Sequence, residues 1–301
     1  MRIISLAPFL TELCASYDKA DRLVAVTLDC DCPDESIAEL PRISISGKGT
    51  TPVGRFLGVD DIRLKQIIDL KPDIILSSVR SEDPFYVPVD VKEDLAHSVG
   101  PSVKLFNFYP ATLEEVYQTL DRVGRALSVA EKGKDLENRL KAQVMAWCDS
   151  FYERMKNKKV SFISSIRPLR LASLWIPDMI RLASARSQEI GAREDQQIEW
   201  SELVHYQPDV IVVALREKPL NESLAAFKEL EHMTGWDAIP AVKRGEVVFA
   251  SGKGYFYRPT SRLIDSMGIL VSAIAGLESG YITERDSFRR LRWAELQRHR
   301  I

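Results

Sequence analysis

The chain has 301 residues, 45% hydrophobic and 28% charged, the balance of a soluble globular protein with room for two domains of about 100–150 residues each. Lys and Arg total 41 against 43 Asp and Glu, a formal charge of −2, which excludes a general nucleic-acid or membrane-surface binder. No apolar run reaches the ~20 residues of a membrane-spanning helix.

The opening MRIISLAPFL runs directly into a strand at 2–6. It has no basic segment, apolar stretch and small-residue cleavage site of a secretory signal. A cytoplasmic protein is therefore expected, with a periplasmic or lipid-anchored one as the alternative if a leader has been removed. A helix at 9–17 and a strand at 23–27 follow, then a Pro- and Gly-rich loop at 29–58. The next helix, 60–70, places Ile62, Ile67 and Leu70 on one face. Apolar strands follow at 73–78 and 103–106, and the style returns at 159–166, 209–214 and 246–250. Near-continuous apolar runs suit parallel strands covered on both faces, and helices between them imply right-handed βαβ units. The segment 263–277, broken by Asp265, Ser266 and Gly268, predicts a packed amphipathic helix.

Between the halves, 112–157 is helical. Ser128-Val-Ala-Glu131 reads as a capping box and splits it there. Leu136, Leu140, Val144, Cys148, Phe151 and Met155 form a stripe along the second helix. From 129 to 157 that helix is roughly 43 Å long at 1.5 Å per residue, enough to bridge both halves. The expected organisation is an α/β lobe at 1–127, a bridging helix at 128–158 and a second α/β lobe at 159–301.

One junction occurs twice, as IIDLKPDIIL at 67–76 and LVHYQPDVIV at 203–212. Proline fixes φ, lacks an N–H and drives the residue before it out of the helical region, so each copy ends a helix and launches a strand. Two lobes built alike place a ligand outside the carboxyl ends of their strands. Cys14, Cys30, Cys32 and Cys148 show no disulfide spacing, and one residue between Cys30 and Cys32 is too short for a zinc pair. His97, His205, His232 and His299 are scattered, and no Ser or Cys has a placeable His or Asp partner. No metal site and no catalytic residue is expected. The Arg-rich end, FRRLRWAELQRHRI, reads as a solvated helix face or a frayed terminus.

Seven segments in order carry a family resemblance: RIISLAPFLTEL, DRLVAVTLDCDCP, LKQIIDLKPDIIL, ATLEEVYQTLDRVGRAL, LWIPDMIRLA, WSELVHYQPDVIVVA and GWDAIPAVKRGEVVFASGKGYFYRPTSRLID. The chain resembles the helix-linked substrate-binding proteins of ABC importers for vitamin B12, iron–siderophores and haem, with the cobalamin-binding branch nearest. The resemblance implies two Rossmann-like lobes with parallel sheets, one bridging helix and a ligand cleft between the lobes. It implies ligand contacts at Pro8 and Phe9 after the first strand, and at Cys32 and Phe56 where the family favours aromatics. Arg80 after the KPD strand, Trp175, Tyr255, Phe256 and Arg258 complete the set. Aromatic faces suit a large planar ligand and arginines suit its carboxylates, amides or phosphate.

Two departures bear on partners. Where transport-competent members carry a glutamate seven residues before the proline of each junction, this chain has Lys65 and Ser201. Docking on an ABC permease is therefore doubtful. Ser184-Ala185-Arg186 also replaces a family Gly-Gly. The expected function is non-catalytic binding of a small molecule, a corrinoid or another large metal chelate, which enters as ligand and not as an intrinsic cofactor. The alternatives are a cytosolic enzyme acting on a tetrapyrrole-like ligand and an ordinary importer subunit.

Overall fold

Pro72 and Pro208 each end a helix and start a strand, and the two strands lie in different sheets. The computed structural model describes residues 1–188, 194–280, 283, 287–292 and 295. They divide into one unit of Met1–Pro110 with Tyr117–Glu137, and a second of Ala111–Val116 with Asn138–Ile301. These limits differ from those expected at 127 and 158. The Leu113 N–H donates to the Asp178 carboxylate at 2.9 Å and ties 111–116 to the second unit, and the later passage falls inside a continuous helix.

The first unit runs β1 (Ile3–Ser5), α1 (Pro8–Ser16), β2 (Leu23–Thr27), α2 (Glu35–Ala38), β3 (Arg42–Ile43), α3 (Pro52–Leu57), α4 (Asp61–Asp69), β4 (Ile74–Ser77), α5 (Val89–Ser98) and β5 (Lys104–Asn107). Its sheet is wholly parallel, in the order β3-β2-β1-β4-β5. Ile4, Ile43, Val53, Ile67 and Ile75 centre its core, all without exposed surface. The expected loop at 29–58 is instead three short elements. Asp34 caps α2, Thr51 caps α3, and Gly58, at φ 66°, closes α3. On α4 the inner face is Leu64 and Ile67, three apart, and Ile62 points out with 72% exposure. Two residues from Leu64, Ile62 lies round the helix from that face.

The segments α6 (Leu113–Ala126) and α7 (Ala130–Met155) follow. Ser128 does not cap α7. Its φ is 59°, and the N–H of Val129 reaches back to the Gly124 carbonyl at 2.7 Å, so the pair closes α6. The first α7 bond is to the Val129 carbonyl instead, from Lys132 at 3.1 Å. With 26 residues, α7 is about 39 Å long. It crosses α6 at glycines. A Cβ on Gly133 would sit 2.6 Å from the Leu120 carbonyl oxygen.

The second unit runs β6 (Lys159–Ile166), β7 (Leu169–Leu171), α8 (Ile176–Leu182), β8 (Arg186–Ser187), β9 (Gln196–Gln197), α9 (Trp200–Tyr206), β10 (Val210–Val213), α10 (Leu220–Ala225), α11 (Phe227–Leu230), α12 (Pro240–Arg244), β11 (Val247–Ala250), α13 (Leu263–Ala275) and β12 (Phe288–Leu291). Its sheet is mixed, and β8 pairs in parallel with β6 beside the main strand order. β10 pairs in parallel with β6 and β11, whereas β12 on β11, β7 on β6 and β9 on β7 are antiparallel. The helix α13 is buried almost all round, from Ser266 to Ala275. Its three expected interruptions include Ser266 and Gly268, small enough to pack inside, so it is not the amphipathic helix expected. No helix among the described residues is long and apolar enough to cross a membrane.

At each junction the aspartate after proline holds the neighbouring strand twice. Asp73 donates its N–H to the Arg2 carbonyl at 2.8 Å, and its carboxylate accepts from the Arg2 N–H at 2.7 Å. Asp209 does the same to Lys159, at 2.8 and 2.9 Å. Lys71 and Gln207, before the prolines, take left-handed φ of 46° and 53°. They leave the helical region as expected, but into the conformation that closes a helix. Asp209 also accepts from Arg244 at 2.6 Å and is the less exposed, its side chain 30% accessible against 59% for Asp73. Asp209→Ala should therefore lower unfolding free energy by about 1–2 kcal/mol and Asp73→Ala by less. Denaturant titration measures both, and the reverse order would refute this account of the clasp.

Candidate functional site

In the first unit every strand is parallel, so all carboxyl ends lie along one edge. The loops there carry Ala7 and Pro8 after β1, Cys30 to Cys32 after β2, and Ser78 to Arg80 after β4. Asn107, at the end of β5, fastens the β4 loop. Its side-chain oxygen accepts from Val79 N–H at 2.7 Å and from Ser77 Oγ at 3.1 Å, and its Nδ2 donates to the Val79 carbonyl at 2.9 Å. Thr11 Oγ1 donates to Ser5 Oγ at 2.9 Å and braces the turn into α1. Pro8 is half-buried at the start of α1, and Phe9 is buried, 8% exposed. Cys32 is half-buried, Phe56 is half-buried against the core, and Arg80 is exposed.

In the second unit a charged network gathers at the carboxyl ends of β6 and β10. Asp195 Oδ1 accepts from Ser173 N–H at 3.1 Å, Ser173 Oγ at 3.2 Å and Arg216 Nη2 at 2.8 Å. Arg216 Nε reaches Asp195 Oδ2 at 3.2 Å, completing a two-point clamp. The guanidinium lies 4.2 Å from the centre of the Tyr257 ring, and Tyr257 donates its hydroxyl to the Ala214 carbonyl at 3.1 Å. Burial disfavours the charged form of Asp195, but the hydrogen bond and charge of Arg216 outweigh it and hold the carboxyl below its usual range. Burial pushes the Tyr257 phenol far up, so it stays neutral. A cavity of about 500 Å³ opens here, lined among others by Ser164, Arg167, Leu215 and Arg216.

The network brings Trp175 close in sequence, because Ser173, held by Asp195, lies two residues before it. Trp175 starts α8 and is 2% exposed, and its indole N–H is buried with no acceptor among the described residues. Tyr255 is half-buried. Phe256 is not at a surface: it has no exposed area, and its ring meets Phe162 edge-on at 4.9 Å. The reason is a three-residue turn, closed by the Tyr257 N–H to the Tyr255 carbonyl, with Phe256 at φ 56°. Arg258 is likewise buried and pairs with Glu217 at 3.4 Å. Sequence reasoning missed Arg216 and Asp195. Arg216 had a signal, lying just past the end of an apolar strand where ligand groups collect; Asp195, in a charged loop, had none.

The cysteines are free, and burial pushes the Cys14 thiol up to about 12 and the Cys148 thiol up to about 11. Burial also raises Cys32. None of these three is an activated thiolate. Among the described residues no cluster of His, Cys, Asp and Glu could hold a metal ion; His299 lies outside them.

Arg216→Ala should destabilise the chain by about 1–2 kcal/mol at neutral pH, a figure reduced because the arginine is partly exposed. The depressed Asp195 value means that this contribution is complete above the unfolded value of about 3.9 and is lost as pH falls through the lower folded one. Denaturant titration should show the gap between wild type and variant narrowing from about pH 7 to about pH 3. A constant gap would mean that Arg216 does not hold Asp195.

Comparison with known proteins agrees with this architecture. Residues 3–252 match the periplasmic binding protein family. A vitamin B12-binding protein of Vibrio campbellii is 21% identical over 271 residues, 88% of this chain and 86% of that protein. An uncharacterized ABC transporter substrate-binding lipoprotein, YvrC of Bacillus subtilis, is 22% identical over 278 residues, 91% of this chain and 79% of that protein. Among solved structures, a periplasmic heme binding protein from Pseudomonas aeruginosa superposes with a TM-score of 0.68 at 17% identity, covering 96% of this chain and 97% of that one. The fold, the family match and the relatives' coverage agree, and the chain belongs to the periplasmic binding protein family.

Proposed function

We propose that this chain is a solute-binding protein that takes up a corrinoid, a haem or another large metal chelate without chemistry on it. The observation that carries the reading is Arg216, clamped by Asp195 over Tyr257 beside a cavity at the ends of adjacent parallel strands. A guanidinium fixed before binding loses little freedom when it meets a ligand carboxylate or phosphate. The unsatisfied indole N–H of Trp175 supports the reading as well, since a buried donor calls for an acceptor. The V. campbellii relative is described as B12-binding and the P. aeruginosa neighbour as heme-binding. A binding role without catalysis fits the solute-binding family.

The relatives also bear on location. One is a lipoprotein, which favours the periplasmic or lipid-anchored alternative; the expectation of a cytoplasmic protein finds no support among them. An importer subunit needs a permease surface. Lys65 on α4 and Ser201 on α9 are both exposed, as docking positions require. Glu202 is not a ready substitute. Its carboxylate accepts the Glu199 N–H at 2.7 Å in a capping box that starts α9.

Titration with hydroxocobalamin, haem and a ferric siderophore, followed by absorbance and calorimetry, should give saturable binding of at least one. Tyr255→Ala, at a half-buried position, should weaken it by about 1–3 kcal/mol with the fold intact. Binding of none would overturn the reading. For the partner, Lys65→Glu with Ser201→Glu should raise capture of a B12-type permease, most at low salt, because exposed charges are screened beyond ~10 Å at 0.1 M. Equal capture by the unmodified protein would show that docking does not depend on these positions.

A further inference from the structure

A second, apolar cavity lies elsewhere, wholly inside the first unit. It measures about 700 Å³ and follows the outer side of β5, the last strand of its sheet, where α5 and α6 flank it. That volume is in the range of small-molecule sites. Three aromatic rings form one wall. Phe106 stacks on Phe108 at 6.4 Å, and Phe85 meets Phe108 edge-on at 6.2 Å.

The charge of the lining is one-sided. Lys92, Lys104, Arg122 and Arg125 all border the cavity, and among the described residues no Asp or Glu does. In a chain of net charge −2 that is a local excess. Arg125 is tied to Asp121 at 2.8 Å. Arg122 has no ion pair among the described residues; its guanidinium instead lies 4.0 Å from the centre of the Phe85 ring. Lys92 and Lys104 are exposed and have no ion pair among the described residues either. A ring-stacked guanidinium at the mouth of an aromatic pocket offers an apolar slot and a planar cation to one and the same molecule.

We propose that this cavity is a second binding site, for a small aromatic carboxylate whose ring lies among Phe85, Phe106 and Phe108 and whose anion meets Arg122. The proposal is independent of the solute reading, since none of its residues belongs to the Arg216 network. An aromatic carboxylate uses both features of the pocket, whereas a neutral aromatic uses only one.

The probe is 2-naphthoate, with 2-naphthamide as its neutral isostere, each titrated calorimetrically into the full chain. We expect 2-naphthoate to bind one molecule per chain and 2-naphthamide to bind about tenfold more weakly or worse. Ala96→Trp, which fills the cavity, should abolish naphthoate binding while leaving chelate binding unchanged. Arg122→Gln, at an exposed position, should weaken naphthoate about tenfold and leave naphthamide unaffected, and circular dichroism checks that both variants fold. If Ala96→Trp does not fold, Arg122→Gln decides alone. Absence of saturable naphthoate binding, equal affinity for the amide, or wild-type affinity in a folded variant would each overturn the proposal.

Discussion

Everything in this structure hangs on two prolines followed by aspartate. A parallel strand pair has no hairpin to set its register, so something else must stop it slipping. Asp73 and Asp209 do so with their own N–H and their carboxylates, Asp73 gripping Arg2 just before β1 and Asp209 gripping Lys159, the first residue of β6. β4 is then aligned on β1 and β10 on β6, with Ile74 opposite Ile3 and Val210 opposite Val160. Once the amino ends are aligned, strands of similar length finish together. The loops that carry Ser78 and Arg216 therefore emerge where ligand groups belong.

Those junctions were legible because proline acts locally. The stripe on α7 was legible because a period of three and four needs no tertiary information; Leu136, Leu140, Val144 and Met155 are all buried. Where tertiary contacts decide, the reading failed. The sequence groups Ile62 with Ile67 and Leu70 on one face, yet α4 buries Leu64 with Ile67 and leaves Ile62 exposed. Ser128 carries the letters of a capping box, but the backbone gives it to the end of α6. Phe256 lies between two tyrosines with the same apparent claim to a ligand, and only the turn at φ 56° sends it inward. Sequence order carries no record of a side chain's direction in an irregular loop.

The chemistry of the second unit explains why the pairing of Asp195 with Arg216 was silent in the sequence. Asp195 is partly buried, and an isolated carboxylate there would be costly. Arg216 removes that cost with two hydrogen bonds, and the same geometry holds the guanidinium over Tyr257. Polar groups that pair in this way come from 21 positions apart, across an intervening helix and two strands. An ion pair of that kind leaves no periodic trace. What it leaves is a rigid cation just past a strand end: the apolar strand signals the arginine, and only the folded sheet shows the aspartate that fixes it.

The first unit shows the opposite economy. β5 is the last strand of its sheet, with β4 its one strand neighbour among the described residues, and an edge of that kind recruits stray strands unless guarded. Lys104, exposed on β5 itself, and the cations of α5 and α6 beside it are guards of the usual kind. But guarding an edge needs only charge, and the sign could be mixed. Here it is uniform, and it surrounds aromatic rings that a merely protected edge would cover or replace with polar groups. Edge protection accounts for the lysine on β5. It does not account for a guanidinium placed over the face of Phe85, which the proposed aromatic carboxylate does.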